Sequence, residues 1–179
     1  TRNSERLFRK KIARLIYPEA RELIAAHQAK GHSVAIISSA TPYQVMPAAR
    51  DLNIDRVFCT GLEVANGSFT GAVVKPTCFG EGKVDAAQTL ARDTGADLSQ
   101  SFFYSDSVDD IQLLEYVGRP VTLNPRKRLR QITKENNWPT TTFDSRGRIS
   151  VNRFLRSVAA TGSLVGSVAA ALPLYALTG

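Results

Sequence analysis

The chain has 179 residues, 43% of them hydrophobic and 22% charged, with a formal net charge of +7. This is long enough for one domain or slightly more with a real core, and the balance is that of a globular protein rather than a disordered one. Cys59 and Cys78 lack metal-ligand spacing and a partnering histidine cluster, so they read as free thiols of a reducing compartment and give no zinc site. The chain opens on Thr1, not Met, with no secretory signal, and is expected to be part of a longer protein.

Residues 1–16 are rich in Arg and Lys, with Leu7, Phe8, Ile12, Leu15 and Ile16 at roughly helical spacing. This basic amphipathic segment is expected to pack on its own domain and show its charges to water. Pro18 starts a helix that runs to Gly31, with Glu19 at its positive end. His27 has no acidic neighbour to orient it and reads as a surface histidine.

Val34-Ala35-Ile36-Ile37 is apolar on both faces, as in a buried parallel strand. The strand stops at Ser38-Ser39-Ala40-Thr41, ahead of a helix from about Tyr43 to Leu52. Backbone N–H groups at such a junction can hold a phosphate-sized anion; simple N-capping by the hydroxyls is the competing reading. Asp55–Thr60 is a short strand. Asn66-Gly67 is a hairpin turn between Leu62-Glu63-Val64 and Ser68-Phe69-Thr70.

Lys83 precedes a helix from Val84 to Arg92. A cation at the positive end of a helix needs a carboxylate or phosphate nearby, unless it is a solvated surface lysine. Phe102-Phe103-Tyr104-Ser105 is a buried strand that ends in Asp106, with Asp110 four residues on. Carboxylates at the carboxyl end of a parallel strand lie where α/β folds bind ligands, and Mg²⁺ suits them. Helix capping is the alternative. Gly118–Pro125 reads as a short edge strand and Arg126–Asn136 as a basic helix. Strand and helix alternate several times, which predicts an α/β fold with a parallel sheet and helices on both faces.

Beyond Phe143 the character changes. Residues 157–179 carry no charge, and Arg153 and Arg156 stand before them. This tail reads either as a membrane-embedded or interfacial segment at the cytoplasmic face, or as a protein-covered helix or Ala- and Gly-rich end.

Ser38, Lys83 and Ser105-Asp106-Ser107-Val108-Asp109-Asp110, in this order, resemble the second, third and fourth motifs of the haloacid dehalogenase (HAD) superfamily of phosphohydrolases. Pro18–Leu23 and Asn124–Leu129 are similar to its phosphoserine-phosphatase-like branch, subclass IB. The resemblance spans residues 1–143. It implies a Rossmann-like three-layer core at 17–143, preceded by a cap or hinge remnant at 1–16. A linker at 144–156 and an apolar helical tail at 157–179 follow.

It also implies Mg²⁺-dependent hydrolysis of a small phosphorylated substrate through an aspartyl-phosphate. Ser38, Lys83, Asp106 and Asp110 would be catalytic, Ser38, Ser39 and Lys83 would hold the phosphate, and Asp106 and Asp110 would hold the metal. The family's first motif, an Asp-x-Asp pair with the nucleophile, is absent, since no Asp precedes Asp51. Asp109 stands where related phosphatases often have Asn. Trp138-Pro139, residues 143–148 and the apolar end resemble the linker to a lysophosphatidic-acid-type acyltransferase beyond residue 179.

Three other classes compete. An inactive phosphate-binding module would keep the charge-stabilising residues without the nucleophile. A receiver domain would place its acids first and its Lys last, the reverse of this order. A nucleic-acid partner is not expected, since the basic ends carry no aromatic-basic interleaving.

Overall fold

A computed structural model of the chain describes residues 2–143 and the backbone of residues 168–170. The N-terminal segment is helical from Arg2 to Leu7 (α1) and continues in irregular turns to Leu15. Only Phe8 is buried there; Leu7 and Leu15 are exposed. Glu5 pairs with Arg50, so the segment does lie on its own domain with its cations outward.

Helix α2 (Pro18–Ala29) leads to β1 (Val34–Ser38), α3 (Pro42–Asp51) and β2 (Arg56–Cys59). A hairpin of β3 (Leu62–Ala65) and β4 (Ser68–Val73) projects beside the sheet. Its turn is Asn66-Gly67, with φ of 50° and 76°, the left-handed geometry these residues tolerate. Then come α4 (Glu81–Thr94), β5 (Phe102–Ser105), α5 (Ile111–Tyr116), β6 (Arg119–Leu123), α6 (Lys127–Glu135) and β7 (Thr140–Thr141). The last described element is β8 (Val168–Ala170).

The main sheet has the order β2-β1-β8-β5-β6-β7, with every pair parallel. Side chains alternate across each strand, so the sheet has two apolar faces. Val34, Ile36, Phe102 and Tyr104 pack against Leu23 and Ile24 of α2 and Val45 and Ala49 of α3. Ile37 and Phe103 face the other way, onto Ala87 of α4, Leu113 and Leu114 of α5, and Leu129 of α6. This is the three-layer α/β architecture that the alternation of elements predicts.

Three expectations are corrected. β6 is not an edge strand, because Thr140-Thr141 add a further strand beyond it. The tail expected to be helical is extended at Val168–Ala170, where its backbone pairs with both β1 and β5. The rest of 144–179, with the linker and membrane expectations, lies outside the described residues. Among the described residues no helix is long and apolar enough to cross a membrane.

The third correction is His27, which is buried rather than on the surface. It lies on the same face of α2 as Leu23 and Ile24, which pack on the sheet. The packing gives Nε2 a partner remote in sequence, while Nδ1 meets a residue five positions on. Nε2 is 2.9 Å from the Tyr104 hydroxyl of β5, and Nδ1 is 2.8 Å from His32 Nδ1. The ring also stands edge-on to Phe102, which carries the Arg119 guanidinium over its face. Burial, then the charges of His32 and Lys30, push the His27 pKa down to about 3.

Below about pH 6.5 the unfolded chain therefore takes up a proton that the folded chain refuses. Stability is expected to fall as the pH drops from 6.5 towards 3. Between pH 7 and pH 5 this loss should be about 2 kcal/mol, or several degrees in Tm. Thermal melts across that range check it, and His27→Gln should flatten the slope.

Candidate active site

β1 and β5 flank the middle strand, and their registers make Ser38 and Asp106 level. Ile36 and Tyr104 both pair with Ala170, and each site residue lies two positions further on. At ordinary strand spacing the two are about 10 Å apart across the carboxyl edge of the sheet. Ligands bind at this edge in open α/β folds.

Ser38 is the last residue of β1 and is buried; Ser39 is half-buried. The Ser38 Oγ accepts from the Ala40 N–H at 3.2 Å. The cap of α3 is Thr41, not Ser38: the Thr41 N–H donates to Gln44 Oε1 at 3.1 Å in a capping box. Capping is thus realised three residues beyond Ser38, which leaves the Ser38 hydroxyl at the strand end.

Lys83 occupies the first turn of α4, and the cation at the wrong helix end has its reason. Its Nζ pairs with Asp110 Oδ1 at 2.5 Å, with 8% and 3% of the two side chains exposed. Asp110 Oδ2 accepts from the Ser105 Oγ at 2.6 Å. Both carboxylate oxygens are therefore engaged, one by the cation and one by a hydroxyl. Asp110 is built to hold Lys83 in place.

The backbone before Lys83 is shaped by two glycines. Gly80 has φ 53° and ψ −122°, a conformation open to glycine. A Cβ on Gly82 would lie 1.9 Å from the Thr77 carbonyl oxygen. Gly82→Ala must move the start of α4, and with it Lys83. The expected cost is about 1–3 kcal/mol, read as a lower denaturation midpoint.

Asp106 follows β5 and is half-buried. Its pKa is raised, chiefly by burial; its own backbone amide opposes this, Asp110 adds to it, and Arg126 and Lys83 lower it. It accepts no side-chain hydrogen bond among the described residues. A partly desolvated carboxylate of this kind suits a hard divalent cation such as Mg²⁺, which uses one or two carboxylates together with phosphate and water. Among the described residues no group of three or more His, Cys, Asp or Glu forms a closed metal cage. Asp109 is exposed and turned into a local loop, its N–H donating to the Ser107 Oγ at 3.2 Å.

Two residues that the sequence reading did not assign belong to this site. Ser105, fully buried, is the second anchor of Asp110. A hydroxyl at the last position of an otherwise apolar strand was the available signal. Cys78 has its thiol 3.6 Å from the Phe58 carbonyl, and the Ser38 backbone N–H donates to it. Burial pushes that thiol up to about 11, with Lys83 opposing and Asp110 adding. Cys78 is thus an inert packing group on which the Ser38, Lys83 and Asp110 segments converge. The Cys78 N–H also donates to the Thr60 Oγ1 at 3.1 Å, fixing the Lys83 loop to the end of β2.

A family model described as haloacid dehalogenase-like hydrolase matches residues 2–115. A Mycobacterium tuberculosis protein named as a probable phosphatase is 36% identical over 132 residues, covering 74% of this chain and 46% of its own length. A protein of the same organism named as a phosphoserine phosphatase is 35% identical over 164 residues, covering 89% and 53%. A solved structure of a Bordetella pertussis protein of unknown function superposes with a TM-score of 0.71 at 30% identity, covering 79% of this chain and 64% of that one. The chain spans about half the length of these two curated relatives.

Proposed function

The chain belongs to the haloacid dehalogenase-like hydrolases, and from that premise we propose that it is the phosphate-binding core of a Mg²⁺-dependent phosphomonoester hydrolase. The observation that carries this reading is the buried Lys83–Asp110–Ser105 array at the carboxyl edge of the sheet, where Ser38 stands level with Asp106. A buried cation held by one carboxylate retains donors for a phosphoryl oxygen, since an ammonium has three.

In this mechanism the Lys83 ammonium and the Ser38 hydroxyl neutralise charge on the transferring phosphoryl oxygens. Such preorganised donors contribute roughly 3–4 kcal/mol each to lowering the barrier. Asp110 and Ser105 hold Lys83 so that it need not reorganise during reaction. Asp106 is the residue that would hold Mg²⁺, which when bound supplies Lewis-acid stabilisation of phosphoryl charge.

The attacking carboxylate has to stand between Ser38 and Asp106, at the end of the middle strand. β8 occupies that position with Val168-Ala169-Ala170, and no Asp or Glu occurs after Asp144. The chain by itself is therefore a phosphate-binding module. Turnover needs an Asp-x-Asp pair on a strand seated between β1 and β5, because covalent catalysis cannot begin without its nucleophile.

The test is direct. Orthophosphate should perturb the amide resonances of residues 38–41 and 83 in an NMR titration. p-Nitrophenyl phosphate should not be hydrolysed by this chain with or without Mg²⁺. Hydrolysis that survives Asp106→Asn would sink the reading, as would phosphate shifts confined to other regions.

A further inference from the structure

The hairpin of β3 and β4 has two chemically different faces. Residues directly opposite one another on paired strands share a face. Leu62 stands opposite Val73 and Val64 opposite Phe69, so these four make an apolar face. The other face is polar: the Thr70 hydroxyl donates to Glu63 Oε2 at 2.6 Å. In an antiparallel pair with one apolar and one polar face, the apolar face is ordinarily the covered one. Here Val64, Phe69 and Val73 are 51%, 57% and 44% exposed.

The root of this hairpin is bonded to both loops that hold Ser38 and Lys83. The Thr60 N–H donates to the Ala40 carbonyl at 3.1 Å, two residues beyond Ser38. The Thr60 Oγ1 accepts from the Cys78 N–H at 3.1 Å, five residues ahead of Lys83. Tyr43, in the first turn of α3 after Ser38, meets the apolar face, its ring edge-on to Phe69 with centroids 5.2 Å apart. Phe79, four residues ahead of Lys83, is exposed as well. Each phosphate-holding residue is thus followed or preceded by an exposed aromatic ring, and one of these rings touches the open face of the hairpin.

The size of the face decides what it accommodates. A stable protein partner covers roughly 800 Å² on each side and about 20–30 residues. This face offers four side chains of one hairpin together with Tyr43. An apolar patch of that extent, rooted on the loops of a polar site, fits the apolar part of a small molecule whose polar end lies in that site.

We propose that the apolar face of the hairpin, with Tyr43, is a binding wall for the alcohol part of the ligand, and that it selects phosphomonoesters of apolar alcohols. Val64 and Phe69 are the specificity-determining residues. The inference rests on the phosphate-binding reading of Ser38 and Lys83 and names the substrate class of that site. Each methylene laid against the wall leaves water and should tighten binding by about two- to fourfold.

Calorimetric titration of the whole chain at neutral pH tests this with three probes. Methylphosphonate carries the anion alone, n-hexylphosphonate adds an apolar chain, and 5-hydroxypentylphosphonate has the same length with a hydroxyl at its tip. The hexyl probe should bind about tenfold or more tightly than the methyl probe, and the hydroxyl probe should lose much of that gain. Val64→Ser/Phe69→Ser should bring the ratio of hexyl to methyl affinity close to one. Leu7→Ser removes an equally exposed apolar side chain from α1 and should leave the ratio unchanged.

Equal binding of the methyl and hexyl probes overturns the wall and leaves the phosphate reading standing. So does a ratio that survives Val64→Ser/Phe69→Ser, or one that falls equally in Leu7→Ser. A dimer in sedimentation that Val64→Ser/Phe69→Ser dissociates would assign the face to a second copy of the chain and overturn the proposal. If methylphosphonate fails to bind, or binds unchanged to Lys83→Met/Asp110→Asn, the phosphate reading falls and the wall falls with it. Circular dichroism establishes that each variant is folded, and the hydroxyl probe tests the wall without altering the protein.

Discussion

Lys83→Ala is expected to lower kcat by about two powers of ten or more in a chain that carries an Asp-x-Asp strand between β1 and β5. The magnitude is that of removing one preorganised charge donor from a transition state. Steady-state kinetics of that extended chain on p-nitrophenyl phosphate, with Mg²⁺ present, measures it. The unextended chain is the baseline with no turnover. Asp110→Asn should lower kcat by a smaller factor, because Lys83 remains but loses its anchor. Asp106→Asn should lower the rate and weaken the Mg²⁺ dependence together. A Lys83→Ala enzyme with unchanged kcat would remove Lys83 from the chemistry.

The second large effect is on folding. Lys83→Met leaves Asp110 buried at 3% exposure with only the Ser105 hydroxyl against it. Breaking a buried pair from one side costs about 3–5 kcal/mol, since the remaining charge has no compensation. Lys83→Met/Asp110→Asn removes both charges and is expected to recover most of that loss. Urea midpoints of the two single variants and the double variant give the coupling. Phosphate binding should stay absent in the double variant although its stability returns. That divergence separates a functional lysine from a structural one. A double variant as unstable as Lys83→Met alone would show that the pair matters through packing and not through charge.

These expectations depend on placements of two different kinds. Some were legible in the chain itself. The run from Val34 to Ile37 and the run from Phe102 to Tyr104 are apolar at every position, so they had to be central parallel strands with both faces covered. Asn66-Gly67 could only turn a hairpin, because the left-handed backbone there is open to Asn and Gly. Local signals of this kind depend on neighbours along the chain, so they survive without the fold. The order Ser38, Lys83, Asp106, Asp110 was enough for the family resemblance, and the matches over residues 2–115 agree with it.

Other placements were decided by packing alone. His27 looked like a surface residue because its partners, Tyr104 and Phe102, lie more than seventy positions away on another element. Lys83 read equally well as a surface lysine or a site residue until Asp110 appeared 2.5 Å from it. Asp110 read either as a holder of metal and its bound water or as an anchor of Lys83, and the structure sets Lys83 and Ser105 against its two oxygens. Helical periodicity says which face a residue is on, but not what covers that face.

The same holds for the sheet. The sequence by itself determined that parallel strands alternate with helices, because the hydrophobic period and the capping residues are local properties. Only the tertiary structure decided that β6 has a second neighbour, β7, and that the slot between β1 and β5 is filled by residues 168–170. Strand order depends on which backbone edges meet, and hydrogen bonding between edges is the same whatever part of the chain supplies the partner.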